Sequence, residues 1–188
     1  MIVRCGTIVI KNKILLSKEC LEIPDQGITL IRGKNGAGKT LLVKKILSEC
    51  KRDSIMAAMV DQSNSMILRR ESVLVNIAMS YDKDTQEKVK SKIEELGLTD
   101  LLSRKASTLS GGEKRIIMLF RELLSKSVLL IIDEPTNDLS EKWCNIVVEL
   151  MKQYAKDNSI IIVSHDEAFI ALADRIFAVK DGEVERVF

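Results

Sequence analysis

Two glycine-rich turns, each opening a helix, carry the chemistry that can be read in this chain. The first, Gly33-Lys34-Asn35-Gly36-Ala37-Gly38-Lys39-Thr40, satisfies every fixed position of the pattern G-x-x-x-x-G-K-[ST]. Its glycines let the backbone wrap close to phosphate oxygens, where a side chain would clash. Its N–H groups form an anion nest, and the helix that follows adds its positive end. Lys39 is placed to reach the β- and γ-phosphates of a nucleoside triphosphate, and the Thr40 hydroxyl to ligate Mg²⁺ beside them. The second turn, Leu109-Ser110-Gly111-Gly112-Glu113, also offers an anion a hydroxyl and N–H groups at a helix start.

Two apolar runs bring further groups to bear. Val128–Ile132 delivers Asp133 and Glu134 at its carboxyl end, where open α/β sheets bind ligands. Asp133 suits Mg²⁺, held directly or through water, and Glu134 suits polarisation of an attacking water. By themselves the two also fit solvated turn carboxylates before Pro135; the phosphate loop favours the first reading. His165, the chain's single histidine, follows the run Ile160–Val163 at that sheet edge; a lone histidine also fits a structural or surface residue, and the motifs taken together favour contact with the γ-phosphate.

These groups need a scaffold, and the periodicity supplies one. Strands are expected at Val3–Ile10, Ile14–Ile23, Ile28–Arg32, Ile55–Val60, Val128–Ile132 and Ile160–Val163. Pro24 to Gly27 marks a turn, and Ile176–Val179, Asp181-Gly182 and Glu183–Val187 form a terminal hairpin. Helices are expected over Thr40–Cys50, Asp84–Leu96 and Gly112–Leu124, and along the stripe Trp143, Ile146, Val147, Leu150, Met151 and Tyr154. Asp84 with Glu87 resembles a capping box, Gly97 stops that helix, and Ser140 is placed to cap the last one. The alternation describes an α/β fold, and the Gly33–Thr40 motif makes it one of the P-loop NTPase type. It has a mostly parallel sheet covered by helices, an N-terminal antiparallel β unit and an inserted helical lobe over about 63–108. The whole chain, 1–188, is read as one domain.

Composition excludes several alternatives. With 29 Lys+Arg against 27 Asp+Glu the net charge is +2, and Lys88, Lys90 and Lys92 interleave with Glu87, Glu94 and Glu95 as a solvated face. No basic block calls for nucleic acid. Cys5, Cys20, Cys50 and Cys144 include no C-x-x-C pair, so neither a zinc site nor a disulfide framework is indicated. No apolar run approaches the ~20 residues needed to span a bilayer, so direct membrane insertion is not expected. The start is unlike a signal peptide, and a cytoplasmic protein is expected.

In order and spacing, these motifs resemble the ATP-binding cassette (ABC) ATPases from Ile28 to about Gly182. Gly33–Thr40 is similar to the Walker A motif and Leu109–Glu113 to the family signature. Asp133 and Glu134 are similar to the Walker B aspartate and the catalytic glutamate. Gln62 falls at the Q-loop glutamine, which senses Mg²⁺ and the attacking water. Asn137–Ser140 corresponds to the D-loop, and His165 to the switch histidine. The resemblance implies that ATP and Mg²⁺ are the cofactors, with Glu134, His165 and Gln62 catalytic and Thr40, Gln62 and Asp133 at the metal. It also implies that Ser110, Gly111 and Gly112 act in trans, on ATP held by a second cassette, identical or different. Hydrolysis would then open a dimer that ATP had closed.

Three features depart from that pattern. Met1–Arg32 contains no aromatic residue or histidine to stack on adenine, so Ile8, Ile10 or Ile14 is expected to pack there. The interval from Lys39 to Gln62 is short, and Ser140 stands where aspartate is usual. The expected role is the ATPase subunit of a membrane transporter, peripheral to the cytosolic face, with a separately encoded transmembrane permease. The alternative is a soluble ABC ATPase acting in translation or on chromosomes. A switch that binds ATP without turnover is disfavoured by the intact Glu134.

Overall fold

The computed structural model describes residues 2–3, 7–10, 13–17, 21–61, 67–78, 83–123, 127–137 and 139–188, with side chains from residue 21 onward except those of 84, 85 and 88. Gln62, Asp138, the Asp84 cap and the side chains of Ile8, Ile10 and Ile14 therefore lie outside the described residues. Two compact units are present. One comprises Met1–Met59, Lys126–Pro135 and Met151–Phe188; the other comprises Val60–Ser125 and Thr136–Leu150.

The first unit is built on a mixed sheet. In chain order its strands are β2 (Thr7–Ile10), β3 (Lys13–Ser17), β5 (Gly27–Arg32), β6 (Ala57–Val60), β7 (Leu129–Asp133), β8 (Ser159–Val163), β9 (Arg175–Lys180) and β10 (Glu183–Arg186). Their spatial order is β2-β3-β10-β9-β5-β8-β7-β6. The short strands β1 (Ile2–Val3) and β4 (Leu21–Glu22) pair antiparallel in a separate ribbon, with Ile2 opposite Glu22. The expected N-terminal antiparallel unit is thus two pairings, since β2 and β3 also run antiparallel. The central strands β9, β5, β8 and β7 run parallel to their neighbours in that series. β8 and β7 are buried along their apolar lengths, because helices cover both faces of a parallel sheet.

Helix α1 (Lys39–Arg52) lays Leu42, Val43, Ile46 and Cys50 on a core that includes Ile31, Ile131, Ile161, Phe177 and Val179. The hairpin β9–β10 turns through Asp181 at φ 50° and Gly182 at φ 83°, the two positive angles that a tight two-residue hairpin needs. Asp174 closes the base of the unit by accepting the Ile28 N–H at 2.7 Å.

The second unit is helical where described, with α2 (Val73–Ala78), α3 (Lys83–Glu95), α4 (Thr99–Leu102), α5 (Gly111–Leu123) and the first ten residues of α6 (Glu141–Ala155). Its extent includes α5 and the start of α6 as well as the 63–108 stretch read as a lobe. Helix α3 ends at Gly97, φ 68°, where the Gly97 and Leu98 N–H groups return to Glu94 and Ile93. Asn76, fully buried, clamps the lead-in to α2 by bonding both the N–H and the carbonyl of Leu68. Helix α5 is buried all round from Arg115 to Arg121, and again at Leu123.

Candidate nucleotide site

Register brings the chemistry of the first unit to one edge. Ile31 of β5 pairs with Val163 of β8, which in turn pairs with Asp133 of β7. The segments that follow these three residues therefore leave the sheet side by side. They are the phosphate loop, Glu134, and Ser164 with His165.

The loop can close only because its glycines lack side chains. A Cβ on Gly33 would lie 2.4 Å from the Val179 carbonyl oxygen, and Gly38 enters α1 at φ 113°. Lys39 is only 9% exposed, and its Nζ donates to the carbonyls of Gly33 (2.6 Å) and Lys34 (3.3 Å), which holds the ammonium across the loop. No side chain caps α1, and no acidic residue lies in its first turn. Its leading N–H groups keep their positive field for an anion. Gly33, Lys34, Asn35, Gly36, Ala37 and Gly38 line a cavity of about 920 Å³ that His165 also borders. That size lies at the upper end of ordinary small-molecule sites.

Glu134 is 6% exposed and sits at φ 49°, a left-handed conformation uncommon for a residue other than glycine. Its N–H donates to the Val163 carbonyl at 2.8 Å. The carboxylate takes the Ser164 hydroxyl on Oε2 at 2.6 Å and faces His165 Nδ1 from Oε1 at 2.8 Å. The His165 side chain is 65% exposed, so this partner is free to turn outward. Asp133 stands at the end of β7, beside the loop strand's neighbour β8.

Ser110, Gly111 and Gly112 lie in the second unit, at the start of α5. Ser110 and Glu113 form a reciprocal capping box: the Ser110 N–H donates to Glu113 Oε2 at 2.8 Å, and the Glu113 N–H donates to Ser110 Oγ at 3.2 Å. Arg104 braces the turn, reaching Glu113 Oε1 at 2.7 Å and the Thr108 carbonyl at 3.1 Å. Partial burial raises the Glu113 carboxyl's affinity for a proton, yet the Ser110 N–H and the Arg104 guanidinium outweigh it and hold the group below its ordinary pKa.

Sequence reasoning missed Ser164 and Arg104. A polar residue at the carboxyl end of a buried strand was a signal for Ser164, overshadowed by the neighbouring histidine. Nothing marked Arg104, whose contact with Glu113 depends on how the intervening turns fold.

The donor set suits Mg²⁺. A hydroxyl and a carboxylate, Thr40 and Asp133, would offer such an ion hard oxygen donors. No cluster of three or more His, Cys, Asp or Glu able to hold a metal occurs among the described residues.

Site and fold together define a P-loop nucleotide-binding cassette. The model of the ABC transporter family matches residues 16–137. The chain is 31% identical over 175 residues to the lipoprotein-releasing system ATP-binding protein LolD 2 of Chlorobaculum tepidum, covering 88% of this chain and 70% of that protein. Among solved structures, an ATP-binding subunit of an ABC transporter is similar with a TM-score of 0.82 at 20% identity, over 99% of this chain and 89% of that one. A dimeric ATP-binding cassette in a post-hydrolysis state, bound to ADP and Pi, aligns over 100% of this chain and 99% of that one, with a TM-score of 0.76 at 19% identity. The chain belongs to the ABC transporter family.

Proposed function

We propose that the chain is the ATP-hydrolysing subunit of a membrane transporter, and that its 188 residues work as one ABC ATPase domain made of the two units. ATP binding and hydrolysis close and open a dimer of cassettes. The phosphates are held by the Gly33–Gly38 backbone, the Lys39 ammonium and the start of α1. Thr40 and Asp133, with Gln62, would hold Mg²⁺, which would supply charge neutralisation on the phosphate oxygens. Glu134 accepts a proton from the attacking water, while His165 exchanges its contact with Glu134 Oε1 for the γ-phosphate. Ser110, Gly111 and Gly112 complete the site of the second cassette, identical or different. Charge on the bound phosphates thereby holds two protomers together.

One observation carries this reading: the strand register delivers Lys39's loop, Glu134 and His165 to a single edge. Catalysis by placed charges and a placed base is what phosphoryl transfer needs. No helix among the described residues is long and apolar enough to cross a membrane. We place the chain in the cytoplasm, at the cytosolic face, with a separately encoded permease. A soluble role in translation or on chromosomes is not favoured, since the similar protein named above serves a lipoprotein-releasing system.

The test is Glu134→Gln. It should bind ATP, hydrolyse it about 10²–10⁴-fold more slowly, as expected for loss of a general base, and accumulate as an ATP-bound dimer in light scattering. Near-normal turnover would remove Glu134 from the role.

A further inference from the structure

We propose that Ser164 is a positioning residue for hydrolysis: it anchors one oxygen of the Glu134 carboxylate so that the other is presented to the attacking water. The proposal rests on the reading of Glu134 as the general base.

Ser164 is fully buried, at 0% exposure. Its hydroxyl accepts the Asp166 N–H at 3.1 Å and donates its own proton to Glu134 Oε2 at 2.6 Å. A hydroxyl has one proton to give; the Asp166 N–H only donates and an ionised carboxylate only accepts, so that proton goes to Glu134. The Ser164 N–H is tied to the Ile31 carbonyl at 3.2 Å, on the strand that runs into the phosphate loop. The carboxylate is thereby referenced to the same strand that places the phosphates.

The two side-chain partners of Glu134 differ in permanence. Ser164 is locked inside the sheet edge, whereas the His165 side chain is 65% exposed and can leave. When His165 turns to the γ-phosphate, Oε1 is released while Oε2 stays held. The terminal torsion of a glutamate is broad, so a bond to one oxygen narrows the orientation of the other. Loss of the Ser164 hydroxyl would also remove a donor from a nearly buried charged oxygen.

The experiment measures steady-state ATPase kinetics of the full chain with Ser164→Ala, Ser164→Thr and Ser164→Cys, alone and with Glu134→Gln. Ser164→Ala should lower kcat by about ten- to a hundredfold, the scale of a small misplacement of a reacting group, with KM for ATP held within about twofold. Ser164→Thr, which keeps the hydroxyl, should recover most of that loss. Ser164→Cys, of similar size with a weak donor, should fall between. On the Glu134→Gln background Ser164→Ala should cost nothing further. Wild-type kcat in Ser164→Ala or Ser164→Cys would overturn the proposal, and so would an equal proportional loss with and without Glu134. If Ser164→Ala does not fold, the order Thr above Cys still decides. Failure of the Glu134 reading is separate, because it would show in Glu134→Gln alone.

Discussion

The phosphate loop and the signature turn are built alike and charged oppositely. Each is a glycine-rich turn running into a helix, α1 at Lys39 and α5 at Gly111. At α1 the helix end has no side-chain cap and no acid, and a nearly buried lysine spans the loop in front of it. At α5 the helix end is already answered by an acid: Glu113 caps the Ser110 N–H and is itself paired with Arg104. A helix N-terminus attracts anions through its free N–H groups and its dipole. The first turn keeps that attraction and adds a cation. The second has spent part of it on its own carboxylate, leaving the first-turn N–H groups of Gly111 and Gly112 without intrahelical acceptors. On the proposed function the first holds the polyphosphate, and the second finishes a site whose charge is supplied by the other cassette.

That contrast can be broken most directly at Lys39. Lys39→Ala should abolish measurable ATPase activity and weaken ATP binding, since the loop loses its one nearly buried cation; equilibrium binding of a fluorescent nucleotide and a phosphate-release assay would show both. Ser110→Arg should also abolish turnover, yet leave nucleotide affinity close to wild type, because it damages only the site completed in trans. Equal loss of binding in the two variants would erase the distinction drawn between the turns.

A smaller effect is expected from the scaffold. Leu42→Ala removes a fully buried side chain where α1 meets the sheet and should cost about 2–5 kcal/mol in urea unfolding. The smallest effect concerns Glu113. Its carboxyl binds a proton less readily folded than unfolded, so the stabilisation it provides is present above its ordinary pKa of 4.5 and is lost as pH falls through and below that value. Melting temperatures taken from pH 7 down to pH ~3 should therefore fall more steeply for wild type than for Glu113→Gln. Parallel curves would mean that the capping box contributes no such pH dependence.

The two turns also differ in how much of them could be read in advance. The phosphate loop was legible almost residue by residue, because phosphate binding by backbone demands glycine at fixed places. Gly33 shows why: the Val179 carbonyl leaves no room for a Cβ. The hairpin at Asp181-Gly182 and the stop at Gly97 were legible for the related reason that they need positive φ. The signature turn was legible as Ser110 and two glycines, and its reciprocal cap stands in the sequence as the local pattern Ser110-x-x-Glu113, three residues apart. That Glu113 also leans on Arg104 was not legible, because that contact is made nine residues apart through an irregular stretch. The N-terminal strands were seen as two, and their described parts pair in two different sheets, because the alternation of apolar residues fixes faces but not partners.

By itself the sequence determined the kind of ligand, the order of the motifs and the strands that carry them, since hydrophobic period and steric demand act locally. Tertiary structure alone decided how Glu134 is held. Its left-handed backbone, the buried hydroxyl of Ser164 on one oxygen and the exposed imidazole of His165 on the other arise from the parallel pairing of β7 with β8. Those residues are thirty or more positions apart in the chain, and only the sheet's register brings them within hydrogen-bonding distance.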